Sequence, residues 1–190
     1  YSSMDVAEEM INKFVDETLE VDANARFAYI SFAGPVVKTN GFTTGANLKN
    51  IVNRTTQYLG TEYLPPLQKA EEILNSYTGS KPLKIIFITD GDNTDTDKSS
   101  QILTQASRLK SRFGAQIYSV TIDYNAPSTA DVRRIADKFV SLTSTNVDST
   151  VEEFVNYSLN RQQVRATNKV YTDVISDYYE VVNSGSYTLP

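Results

Sequence analysis

Three residues on separate segments carry oxygen atoms that could hold a hard cation: Ser2, Thr61 and Asp90. Asp90 lies in Lys84-Ile85-Ile86-Phe87-Ile88-Thr89-Asp90-Gly91-Asp92, where four large apolar residues run directly into a carboxylate, a glycine and a second carboxylate. Thr61 follows Gly60, ahead of an apolar helical pattern, and Ser2 opens another such pattern. The chain has no cysteine, histidine or tryptophan. Zinc sites of Cys and His, thiol nucleophiles and imidazole catalysis are therefore excluded. A metal held by hydroxyls and carboxylates is Mg, Ca or Mn.

Each residue also has a plainer reading. An aspartate before glycine is a common turn former, and a Ser or Thr ahead of a helix is a common N-cap. Ser2 with Asp5 resembles a capping box with Asp in place of Glu. The alternation of Asp92, Asp95 and Asp97 imitates an EF-hand calcium loop, which requires glycine at its sixth position and glutamate at its twelfth. Counted from Asp90 those positions hold Asp95 and Gln101, and counted from Asp92 they hold Asp97 and Leu103, so the pattern fails. These carboxylates instead suit the amino end of the next helix.

The elements that must position the three residues are set by apolar spacing. Val6, Met10, Ile11, Phe14, Val15 and Leu19 predict a first helix. Phe27–Ala33 and Lys84–Thr89 read as strands buried on both faces, as parallel sheets require. Pro35–Lys38 predicts a short strand, Gly41–Gly45 a turn, and Leu48, Ile51 and Val52 a short helix. Pro65 and Pro66 fit the first turn of a helix continuing through Leu67, Ala70, Ile73 and Leu74. Further helices are expected around Ile102–Leu109, Val132–Ala136 and Val151–Leu159, with strands at Ala115–Ile122 and Phe139–Leu142. Alternating strands and helices predict an α/β fold, a doubly wound, mostly parallel sheet with helices on both faces. In such a sheet ligands bind at the carboxyl ends of strands, where Asp90 falls. The plan places a strand just before the first helix, and that first strand is expected to be missing from the chain. The sheet interior is then expected to be unstable unless another segment supplies it.

The 190 residues carry 18 basic and 23 acidic side chains, a net charge of −5. This gives no electrostatic case for nucleic acid. No stretch approaches the roughly 20 apolar residues of a membrane span. Residues 1–163 read as one domain. The pattern changes near Gln162, and residues 164–190 read as a linker and the start of a neighbouring domain or a packed arm.

Thr89-Asp90-Gly91, Gly60-Thr61-Glu62-Tyr63 and Tyr1-Ser2-Ser3-Met4 together resemble the von Willebrand factor type A (integrin I-like) domain, over about Tyr1–Arg161. The resemblance implies a metal-ion-dependent adhesion site with Ser2, Thr61 and Asp90 as metal ligands. Ser2 would be the second serine of an Asp-x-Ser-x-Ser loop whose first Asp and Ser would lie before Tyr1. It implies Mg2+, with Mn2+ or Ca2+ as alternatives, and no enzymatic turnover. It implies recognition of a protein ligand, of the extracellular matrix or a host cell surface, by a secreted or surface-exposed chain. The tail Thr172–Val182 is similar to the segment after such domains in tip adhesins of Gram-positive pili, which would make the protein a virulence factor. Two other functions stay open: a phosphate-ester hydrolase using Asp90 and Asp92 with two ions, and a structural spacer with a degenerate site.

Overall fold

The computed structural model describes residues 2–53, 59–143 and 145–158. The expected linker and neighbouring segment, 164–190, lies outside the described residues. Helix α1 (Ser3–Val21) starts as predicted. The Ser2 hydroxyl accepts from Asp5 N–H while the Asp5 carboxylate accepts from Ser2 N–H, closing a capping box. Strands β1 (Phe27–Ala33) and β2 (Val36–Thr43) form an antiparallel pair, followed by α2 (Gly45–Val52) and α3 (Leu64–Asn75). Then come β3 (Lys84–Thr89), α4 (Ser99–Phe113), β4 (Gln116–Ile122), α5 (Asp131–Arg134), β5 (Lys138–Leu142) and α6 (Val147–Ser158).

Strands β3, β4 and β5 are parallel, with Lys84 opposite Gln116 and Tyr118 opposite Lys138. The side chains of β4 divide between two cores, because a strand alternates its faces. Ile117 packs with Leu67, Ile102, Leu109 and Ile135 on the side of α3 and α4. Tyr118, Val120 and Ile122 pack with Val6, Met10, Leu142 and Val151 on the side of α1 and α6. This is the doubly wound arrangement predicted.

Two strands differ from expectation. The residues of β1 and β3 are mostly half-buried rather than buried on both faces. The reason is a cleft of about 420 Å³ between them. It is lined by Ile30 and Phe32 of β1, Ile86 and Ile88 of β3, Phe14 of α1 and Leu67 of α3. Among the described residues β1 pairs only with β2, and β3 only with β4. Each strand therefore turns one edge towards the cleft, the position a doubly wound plan gives to the strand leading into α1.

Local signals also misplace β2, predicted to end at Lys38 before a turn. Its pairing with β1 runs from Ala33 opposite Val36 to Phe27 opposite Thr43, with a register shift between Phe27 and Tyr29. Thr39 Oγ1 adds a bond to the Tyr29 carbonyl at 3.0 Å. Cross-strand bonding carries the strand to Thr43, into the expected turn Gly41–Gly45. α5 is one turn only, ending at Arg134.

Candidate metal-ion site

The parallel strands deliver Asp90 at the carboxyl edge of the sheet, immediately after β3. Its loop is folded back by its own residues. Thr89 Oγ1 donates to the Gly91 carbonyl at 2.9 Å and accepts from Gly91 N–H at 3.2 Å, a local turn of the kind short hydroxyl side chains favour. Asp90 is exposed and forms no hydrogen bond or ion pair among the described residues. Asp92, by contrast, accepts from Asn93 N–H at 2.8 Å.

The second loop reaches the same place through a glycine. Gly60 has φ +97, and a Cβ there would lie 2.9 Å from the backbone nitrogen of Gly34. Only glycine combines that left-handed backbone with so close an approach. Thr61 comes next, half-buried, with its Oγ1 3.6 Å from the position a Cβ would take at Gly91. The hydroxyl does not cap α3: the N-cap residue is Tyr63, whose side chain makes no cap hydrogen bond. Thr61 Oγ1 is without a hydrogen-bond partner among the described residues.

Ser3, Met4, Thr61 and Asp90 all line the same cleft, Ser3 and Met4 contributed by the first turn of α1. Ser2, one residue ahead, is exposed and holds Asp5 with both halves of its hydroxyl: it accepts from Asp5 N–H at 3.3 Å and donates to Asp5 Oδ2 at 3.0 Å. A hydroxyl oxygen has two lone pairs, so the cap leaves one for a further partner.

The two loops are tied to each other. Thr94 N–H and Thr94 Oγ1 both donate to the Thr61 carbonyl, at 2.8 and 3.0 Å. Tyr63 N–H donates to Asn93 Oδ1 at 3.3 Å, and the Tyr63 hydroxyl donates to the Gly91 carbonyl at 2.6 Å. Asn93 is buried; its Nδ2 donates to the Asp95 carbonyl at 2.8 Å and to Asp131 Oδ2 at 3.4 Å. Asp131 Oδ2 also accepts from Ser99 Oγ at 2.8 Å, joining the loop to the start of α4. Burial pushes the Tyr63 hydroxyl well above its ordinary range, so it remains a donor. The Tyr124 hydroxyl is raised too, by burial first and by the Asp92 carboxylate second. Sequence reasoning placed Tyr63 near the site but missed Asn93, Thr94, Ser99 and Asp131. The bonds that tie them to other elements span 30 or more residues, beyond any local pattern.

The structure brings Thr61 and Asp90 to one cleft, whereas Ser2 is not among the residues that line it; a hydroxyl and a carboxylate are oxygen donors of the kind Mg2+ prefers. Among the described residues no three acidic side chains converge on one point, so any ion here depends on hydroxyls as well as carboxylate.

The family model for the von Willebrand factor type A domain matches residues 1–166. The chain belongs to that family. Solved structures agree on the fold. The von Willebrand factor domain of the type V pili tip protein Mfa5 from Porphyromonas gingivalis superposes with a TM-score of 0.67 at 12% identity, covering 87% of this chain and 92% of that one. A von Willebrand factor type A protein from Catenulispora acidiphila gives 0.64 at 17% identity, covering 82% and 37%. The pilus adhesin SpaC from Lactobacillus rhamnosus GG, in an open conformation, gives 0.64 at 12% identity, covering 83% and 27%. The chain thus spans nearly all of the first of these structures but well under half of the other two. No curated protein matches it. Type A domains are protein–protein recognition modules, and that is the coarse function of this one. No helix among the described residues is long and apolar enough to cross a membrane.

Proposed function

We propose that this domain serves in adhesion at the cell surface, binding a carboxylate of a protein partner through a divalent cation held by Thr61, Asp90 and Ser2. The observation that carries this reading is the pair Thr61 and Asp90. They line one cleft from loops that are bonded together, yet both functional groups are without partners among the described residues. A polar group left unengaged on an otherwise cross-bonded framework is available to a ligand. A bound Mg2+ would supply an electrophile with open positions for an incoming carboxylate. Thr61 would bring a neutral oxygen and Asp90 a single negative charge, directly or through water. Ser2 would add a second neutral oxygen. So few charges leave the ion short of negative ligands and receptive to an acidic side chain.

The pilus proteins among the structural neighbours favour an extracellular setting, with a matrix or host-surface protein as partner. A two-ion hydrolase is less well supported, because Asp92 is engaged with Asn93 N–H. The test is surface binding of the full-length protein to immobilised matrix proteins. Binding should require Mg2+ or Mn2+ and be lost in chelator and in Asp90→Ala, whose fold should persist since Asp90 is exposed. Undiminished binding in chelator and in Asp90→Ala would place the contact surface elsewhere.

A further inference from the structure

We infer that Tyr63 is a positioning residue for the cation, its hydroxyl fixing the spacing between the Thr61 and Asp90 oxygens. The inference rests on the metal reading of the same site. The Gly91 carbonyl accepts two bonds, from Thr89 Oγ1 within its own loop and from Tyr63 on the other loop. The Thr89 bond shapes the turn but says nothing about where Thr61 lies. The Tyr63 bond does, since Tyr63 is two residues from Thr61 and Gly91 is adjacent to Asp90. At 2.6 Å it is a short bond for two neutral partners.

The tyrosine is itself immobilised. Its ring is fully buried and meets Phe87 of β3 edge-on, with centroids 4.9 Å apart at 78°. Its backbone N–H is held by Asn93. The Thr94 bonds to the Thr61 carbonyl complete the tie from the exposed side. Both loops are thus referred to one rigid ring seated on the strand that presents Asp90. Mg2+ demands near-ideal octahedral spacing, whereas Ca2+ tolerates looser and more variable geometry. A device that fixes oxygen spacing therefore shows itself in the preference for Mg2+ over Ca2+, not only in affinity.

The experiment is calorimetric titration of the full-length protein with Mg2+ and, separately, Ca2+, for wild type, Tyr63→Phe and Thr94→Val. Tyr63→Phe keeps the buried ring and removes the hydroxyl; Thr94→Val alters an exposed side chain and removes one bond to the Thr61 carbonyl. Loss of a group that orients a metal ligand costs about 10–100-fold in affinity. Tyr63→Phe should therefore weaken Mg2+ binding at least about tenfold while weakening Ca2+ clearly less, so that the Mg2+ preference falls. Thr94→Val should move the same ratio in the same direction by a smaller factor. A purely structural role predicts a lower melting temperature with both affinities unchanged, and that result overturns the inference. Wild-type protein that binds neither ion overturns the metal reading and this inference with it, an outcome already told apart by the wild-type titration.

Discussion

Replacing Thr61 with alanine separates its two readings, because the structure assigns them different free energies under different conditions. A helix cap there would cost about 1 kcal/mol on removal, with or without metal. The Thr61 hydroxyl caps nothing, since the N-cap of α3 is Tyr63. Its carbonyl, which receives both Thr94 bonds, survives the substitution. The change in metal-free stability should therefore stay within about 0.5 kcal/mol, the ordinary range for a side chain with no special role. With metal the case reverses. Loss of a direct ligand should weaken binding at least as much as the upper figure for an orienting group, about 100-fold. At a Mg2+ concentration about 100 times the wild-type dissociation constant, binding stabilises the wild type by about 2.7 kcal/mol. The mutant at the same concentration would sit at its own dissociation constant and gain only about 0.4 kcal/mol. For a chain of this size about 2–4 °C accompanies each kcal/mol. Mg2+ should thus raise the wild-type melting temperature by roughly 5–11 °C and that of Thr61→Ala by roughly 1–2 °C, by the same conversion. Scanning calorimetry in chelator and in Mg2+ measures all four states. A full Mg2+ shift in Thr61→Ala, or a loss near 1 kcal/mol in chelator, the worth of a cap, would refute the assignment.

The observed capping box makes Ser2→Ala destabilising by about 1 kcal/mol even in chelator; unchanged denaturant midpoints in metal-free buffer would show that the box contributes nothing in solution. Glu71 of α3 is pulled down to about 2 from its ordinary 4.5, first by Gln105 and then by Arg108 and Arg112 of α4. A carboxylate depressed on folding contributes stability that is complete above the unfolded value and is lost as the pH falls through the folded one. Stability should decline between about pH 4.5 and 2, and Glu71→Gln should flatten that decline; equal slopes in the two proteins would show that the clamp does not form.

The layered fold was legible because its signals are short in range. Ile85–Ile88 announces a strand by composition alone, and the spacing of Val6, Met10 and Val15 announces the face that α1 buries. The full extent of β2 was not legible. Gly41–Gly45 reads locally as a turn, and only the pairing with β1 reveals that the strand runs on to Thr43. The same limit applies to the site. Thr61 and Asp90 stand out because each comes directly after a recognisable local form, a glycine loop or the end of a strand. Asn93 and Thr94 carry no such mark, and their importance exists only through partners brought together by the sheet.

Acidity itself is a poor guide to this surface, and the hydrogen bonds explain why. Asp5 serves a helix end, Asp92 holds Asn93 N–H, Asp95 pairs with Lys98, and Asp131 binds Ser99 and Asn93. Each of these carboxylates has a charge or a polar hydrogen to answer, so recruiting it to an ion would cost a bond already made. Among the described residues Asp90 has none, and neither does the hydroxyl of Thr61, which lines the same cleft. A hydroxyl and a single carboxylate make a weaker cage than a cluster of aspartates. On the proposed reading, what they lack in charge is what would let a partner complete it: an ion fully neutralised by its own protein would have little affinity left for a carboxylate arriving from outside. On the metal reading proposed above, the sparse ligand set and the rigid ties beneath it would serve one end, an incomplete coordination sphere held in a fixed shape.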